Sequence, residues 1–168
     1  AAMNNLANSY KAIGKLEDAK DLYEKILKTN PNYINAYNNY ANLKTIINDY
    51  KGAIELYLKV YDLIKDNKNI PKTSVTGILF SLAVAYQSDN KINETKNIVN
   101  EIFSVDPMHV GAHKLIGSLT KYSNEDEKSI GHIKEMQEID KKINSNEYEK
   151  KIDLSYALGK SFEDIKDY

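Results

Sequence analysis

Apolar residues in this chain recur at the spacing of a helix, and the whole pattern then recurs at a fixed distance. Met3, Leu6, Ala7 and Tyr10 fall at i, i+3, i+4 and i+7, one stripe of a first helix. Gly14 follows, a residue that tolerates the left-handed turn just past a helix. Leu16, Ala19, Leu22, Tyr23, Ile26 and Leu27 make the stripe of a second helix, which Asn30-Pro31-Asn32 closes because proline cannot continue it. The register returns 34 residues on, taking Met3 to Tyr37, Leu6 to Tyr40, Ala7 to Ala41, Ala19 to Ala53, Tyr23 to Tyr57 and Ile26 to Val60. Gly14 becomes Asn48, the next-best residue for a left-handed turn. A period of this length predicts an all-α solenoid of antiparallel helix pairs, in which each unit buries its apolar face only by stacking on a neighbour.

The later units follow with interruptions. Leu6, Ala7, Tyr10 and Pro31 return as Leu82, Ala83, Tyr86 and Pro107, a lag of two periods plus eight residues. The extra eight, at 68–75, contain Pro71, and Thr73 or Ser74 is placed to cap the next helix. The fourth unit keeps the period with Ile116, Gly117, Thr120, Ser129, Ile133 and Met136, and its turn position reads Asn124 after Asn90. A second eight-residue insertion precedes the fifth unit, which carries Leu158, Gly159, Phe162 and Tyr168. The expected organisation is one solenoid with repeats at 1–33, 34–67, 76–109, 110–143 and a partial 152–168, and with insertions at 68–75 and 144–151. The chain opens inside a repeat and stops where a second helix would begin, which reads as four and a half units of a longer array. Small residues (Ala7, Ala41, Ala83, Gly117 and Gly159, with Ala19 and Ala53) mark the expected close approaches between helices.

The alternation of Leu-Ala/Gly, Tyr, Gly, Ala, Tyr and Pro resembles the tetratricopeptide repeat family, most strongly in the first two units. The resemblance implies a right-handed solenoid whose first helices line a concave wall that binds a peptide or protein. Some members of the family grip a C-terminal carboxylate with asparagines and basic residues. Asn8 and Asn39 fall at the asparagine positions of such a clamp, but its basic positions read Asn4, Gly77 and Ser81, so no clamp is expected.

On the first helix, Asn4, Asn5, Asn8 and Lys11 point away from the apolar stripe, and Asn38, Asn39, Asn42 and Thr45 do so one period later. An asparagine amide offers both a donor and an acceptor, so a row of them can pair with an extended backbone. The run Asn4-Asn5-Leu6-Ala7-Asn8 resembles the asparagine ladder in the repeats of the O-linked N-acetylglucosamine transferase family. The same asparagines could equally form a merely solvated face. Further along, Phe80 and Lys114 extend the wall as a mixed apolar and basic surface. The expected peptide-binding residues are therefore Asn4, Asn5, Asn8, Lys11, Asn38, Asn39, Asn42, Phe80 and Lys114.

Composition narrows the alternatives. The 168 residues carry a net charge of −1, and all 23 basic residues are lysine. Such a balance argues against a nucleic-acid or membrane-surface partner, and the absent guanidinium removes the favoured phosphate and guanine fork. No apolar run approaches the roughly 20 residues that span a bilayer. Absent cysteine excludes disulfides and thiol nucleophiles and suits the cytoplasm. His109 and His113 are four apart, but Val110-Gly111-Ala112 between them lacks a metalloprotease glutamate. Packing or capping roles fit them better, and Glu125, Asp126 and Glu127 suit the start of a helix. No metal, cofactor or catalytic group is expected. The leading expectation is a non-enzymatic interaction module. The alternative is a substrate-recruiting segment of a larger sulfotransferase or glycosyltransferase, because residues 154–164 resemble the last repeats of bacterial proteins fused to a sulfotransferase domain.

Overall fold

A computed structural model describes residues 2–67 and 69–166. Lys68 and Tyr168, which open the first insertion and close the partial repeat, lie outside the described residues. The described residues form nine α-helices: α1 (Ala2–Ala12), α2 (Leu16–Thr29), α3 (Ile34–Ile46), α4 (Tyr50–Ile64), α5 (Lys72–Ser88), α6 (Ile92–Val105), α7 (Val110–Ser118), α8 (Glu127–Lys142) and α9 (Tyr148–Lys166). The fold is thus all-α, as the period predicts. The chain divides into two compact units, Ala1–Ile98 and Val99–Tyr168, with the division inside α6.

In the first unit the repeated small residues sit where helices meet. Ala7, Ala19, Ala41 and Ala53 are fully buried. The rings of Tyr23 and Tyr40 stack with centroids 5.8 Å apart, joining α2 to α3. A second cluster gathers Ala41, Ala53, Ile54, Tyr57, Leu82 and Ala85 from α3, α4 and α5. Gly14 (φ 78), Asn48 (φ 60) and Asn90 (φ 57) each take the left-handed conformation after a first helix, so asparagine does replace glycine there.

Two expectations for this unit need correction. On α1, Asn4 is buried, whereas Met3 and Leu6 are 41% and 44% exposed. The reason lies in stacking. Leu6 corresponds to Tyr40, which packs back onto the preceding pair, and α1 has no preceding pair among the described residues. Asn4 instead lies on the side of α1 that meets α3, where its Oδ1 accepts a hydrogen bond from Asn39 Nδ2 (3.3 Å). The second correction concerns α5. It starts behind Pro71, which stands at the N-cap with no side-chain cap, and Thr73 and Ser74 fall inside the first turn.

The second unit packs Tyr122, Ile133, Met136, Ile139, Leu154 and Ala157 together from the α7–α8 connection, α8 and α9. Asp126 caps α8, accepting from the backbone N–H groups of Lys128 and Ser129. His109 caps α7 through Nδ1, which accepts from Ala112 N–H (3.1 Å). Gly117 fulfils its expected role, since a Cβ there would lie 3.5 Å from Ala157 Cβ. Gly159 does not, because a Cβ there would meet nothing within 4 Å. Asn124 also departs from its expected turn geometry. Helix α7 already ends at Ser118, and a longer connection replaces the tight left-handed turn.

Candidate functional site

Between α3 and α5 lies a groove of about 680 Å³. The α3 wall presents Asn35, Asn38 and Asn42, spaced i, i+3 and i+7 on one face. The α5 wall presents Ser74, Gly77, Ile78 and Ser81 at the same helical spacing. Toward the starts of both helices the lining adds the aliphatic residues Ile34, Ile70 and Pro71, with the buried Ile64 of α4 beneath them. Asn32 and Tyr33 close the α2–α3 side. None of these lining residues carries a charge, although charged residues make up 28% of the chain.

The walls differ in how their polar groups are committed. Tyr57 Oη–H donates to Asn42 Oδ1 at 2.7 Å. One period earlier, Tyr23 Oη–H donates to Asn8 Oδ1 at 2.5 Å. Each bond clasps a first helix to its second and gives a buried tyrosine hydroxyl its partner. Burial raises both tyrosine pKa values above the ordinary range. The clasp engages Oδ1 of Asn42, which leaves its Nδ2 group as the amide's uncommitted donor. Asn35 and Asn38 make no side-chain hydrogen bond among the described residues, so their amides belong to solvent or to a ligand. Ser81 donates to Gly77 O (3.0 Å), a bond internal to α5.

The clasp carries a prediction. Tyr57→Phe keeps the ring and removes the donor, so it should cost about 1 kcal/mol of stability. A double-mutant cycle with Asn42→Ala, read by chemical denaturation, should give a clear coupling energy. Zero coupling would show that the two side chains stabilise the fold independently.

The other expected wall residues scatter. Asn5 is exposed on α1, Asn4 and Asn39 are bonded to each other, and Asn8 is the clasp partner of Tyr23. Lys11 is half-buried on α1, and burial lowers its pKa. Phe80 is half-buried on α5 and is not part of the groove lining. In the second unit, Lys114 Nζ donates to Asp153 Oδ1 (2.6 Å) and lies 5.7 Å from the Tyr156 ring centroid. Of the nine expected residues, the groove thus gathers Asn38 and Asn42. It adds Asn35, Ser74, Gly77 and Ser81, all readable as stripes at helical spacing once α3 and α5 are set side by side.

A second polar constellation lies inside the second unit. His113 is buried and ring-packed against Phe103. Its Nε2 lies 2.8 Å from Pro107 O and its Nδ1 lies 2.9 Å from His132 Nε2. His132 Nδ1 in turn lies 2.7 Å from Tyr122 Oη. A carbonyl only accepts, so His113 must carry its proton on Nε2 and accept on Nδ1. His132 then donates from Nε2 and accepts on Nδ1, and Tyr122 donates to it. One carbonyl fixes every tautomer in the chain. Burial lowers the pKa of His113, and burial together with His113 lowers that of His132 to about 4. No group of three or more metal-ligating side chains occurs among the described residues.

Comparison with known proteins follows the fold. Residues 1–33 and 22–55 match models of the tetratricopeptide repeat. The protein ycf37 of Pyropia yezoensis, itself uncharacterized, is 42% identical over 65 residues, which are 39% of this chain and 36% of that protein. A putative kinesin light chain of Podosopora anserina with nearly identical tetratricopeptide-like repeats superposes with TM-score 0.70 at 13% identity, covering 97% of this chain and 85% of that one. YrrB, a tetratricopeptide-repeat protein with an unusual peptide-binding site, superposes with TM-score 0.64 at 15% identity, covering 99% and 86%. No helix among the described residues is long and apolar enough to cross a membrane.

Proposed function

This chain carries tetratricopeptide repeats in residues 1–55 and has the fold of proteins built from them, and from that premise we propose that it binds a peptide or protein segment in the groove between α3 and α5. The observation that supports this reading is the groove itself. It is large enough for several residues of extended chain, and one wall is a row of amides with capacity left over from the fold. YrrB, of like fold, has a peptide-binding site, which agrees with such a use of the architecture. The chain then acts by holding a partner rather than by converting a substrate.

The test separates binding from folding. Asn35→Ala with Asn38→Ala removes two amides that no part of the fold uses. Binding to a partner captured by the intact chain should weaken about tenfold, as loss of two ligand hydrogen bonds would give. The melting temperature should stay unchanged. Equal affinity in the double variant would refute the groove as the site. The exposed Asn5 serves as the control, since Asn5→Ala should leave both properties alone.

A further inference from the structure

We propose that the groove takes an uncharged, extended internal segment of a partner, with one aliphatic side chain seated toward the starts of α3 and α5, and that Gly77 supplies the space for it. This rests on the groove being a peptide site, and it names the class of peptide.

The first ground is charge. Among the described residues no lining side chain is cationic, so a terminal carboxylate or an acidic segment entering the groove would lose its hydration and find no counter-charge there. Among the described residues none of the lining is anionic either, so a basic segment gains nothing from it. The second ground is spacing. Asn38 and Asn42 stand one turn apart, a rise of about 6 Å. Two residues of extended chain span about 6.6 Å. The two amides therefore match backbone groups on one edge of an extended segment, while its side chains alternate away from them. The third ground is the lining toward the helix starts, where Ile34, Ile70 and Pro71, with the buried Ile64 beneath them, form an aliphatic socket. Backbone pairing along the amides fixes the segment, and one branched or linear aliphatic side chain fills the socket.

Gly77 connects these features. It lies in the interior of α5, where glycine weakens a helix relative to alanine. A Cβ there would meet nothing within 4 Å, so no packing or turn requires the glycine. What its missing side chain leaves is open volume in the groove. A larger residue at this position would project into that volume without touching the core.

The experiment presents the intact 168-residue chain with a phage library of random peptides about a dozen residues long, flanked by linkers so that no free terminus is offered. The enriched sequences should carry Leu, Ile, Val or Met among uncharged neighbours. One of them, acetylated and amidated, should bind with an affinity constant to within about twofold from about 0.05 to about 0.5 M sodium chloride. Gly77→Leu should weaken it at least about tenfold while the melting temperature holds or rises. Should Gly77→Leu not fold, Ser74→Lys, on an exposed position of the same wall, should give the same loss. Enrichment of acidic or basic peptides, with binding still abolished by these variants, would overturn the uncharged-segment inference and keep the groove as a peptide site. No enrichment, or enriched peptides that bind both variants as they bind the parent, would overturn both.

Discussion

Ala53→Trp should destabilise the first unit by about 3 kcal/mol or more, at the upper end of what overpacking a core costs. Ala53 is fully buried and clusters with Ala41 from α3 and with Leu82 and Ala85 from α5. It is the point where a second helix touches the first helices on both of its sides. Buried among Ala41, Leu82 and Ala85, an indole there has no room without displacing α3 or α5. The strain must open either the α3–α4 or the α4–α5 contact. The melting temperature should fall by about 6–12 °C, using the sensitivity of a chain of this size. Ala12→Trp, at the exposed end of α1, is the control and should leave it within a degree or two. An unchanged melting temperature for Ala53→Trp would remove Ala53 from the close contact and with it the register on which the repeat assignment stands.

Acid should loosen the second unit before it affects the first. His113 and His132 are held neutral in the fold, with pKa values below the ordinary 6.5, and His132 falls to about 4. For a base whose folded pKa is lowered, the neutral fold is fully favoured above the unfolded value. Stability is then lost as pH falls from 6.5 toward 4 and levels off below it. Depression to about 4 corresponds to a loss on the order of 3 kcal/mol. At His113 burial lowers the pKa and outweighs the Pro107 carbonyl, Glu135 and Asp106, which all oppose the depression, while His109 adds to it. At His132 the neighbouring His113 works in the same direction as burial. A single proton can be accommodated if His132 and Tyr122 reverse their roles. A second cannot, because Nδ1 of His113 and Nε2 of His132 would then both carry hydrogens 2.9 Å apart. Melting followed between pH 7 and pH 4 should show the loss in the parent chain. His132→Gln should be less stable at pH 7 and show a much shallower slope. An equal slope in both would assign the acid sensitivity to other groups. Asp126 and Asp164, whose pKa values are lowered by hydrogen bonds from Ser129 and Lys160 respectively, contribute their own loss only at the acid end of the range.

Much of this architecture was legible in the sequence. A fixed lag placed Ala7, Ala19, Ala41 and Ala53 at helix contacts because a small side chain is the local signature of close approach. Gly14, Asn48 and Asn90 could be matched as turns because few residues tolerate positive φ. His109 and His113 were readable as capping or packed rather than metal-binding, because Val110-Gly111-Ala112 between them carries no metalloprotease glutamate. What the chain could not reveal was which neighbour each face meets. A helical wheel puts Asn4 and Leu6 on different faces but does not say that Asn4 looks toward α3 or that Leu6 needs a preceding pair. Asn8 and Asn42 read as ladder amides, because a clasp to tyrosine fifteen residues on depends on how two helices lean together. The groove was hidden for the same reason. Its stripes, Asn35-Asn38-Asn42 and Ser74-Gly77-Ser81, lie on separate helices, and the residues between them give no sign that the helices stand apart.

The uncharged lining of that groove also bears on how fast a partner arrives. A lining with no charged side chain among its described residues adds little local pull on a segment, so steering is left to the charges elsewhere on the chain. Association is then expected near about 10⁵–10⁶ M⁻¹s⁻¹, the range for unsteered pairs. Differences between one partner and another must appear in how long each stays.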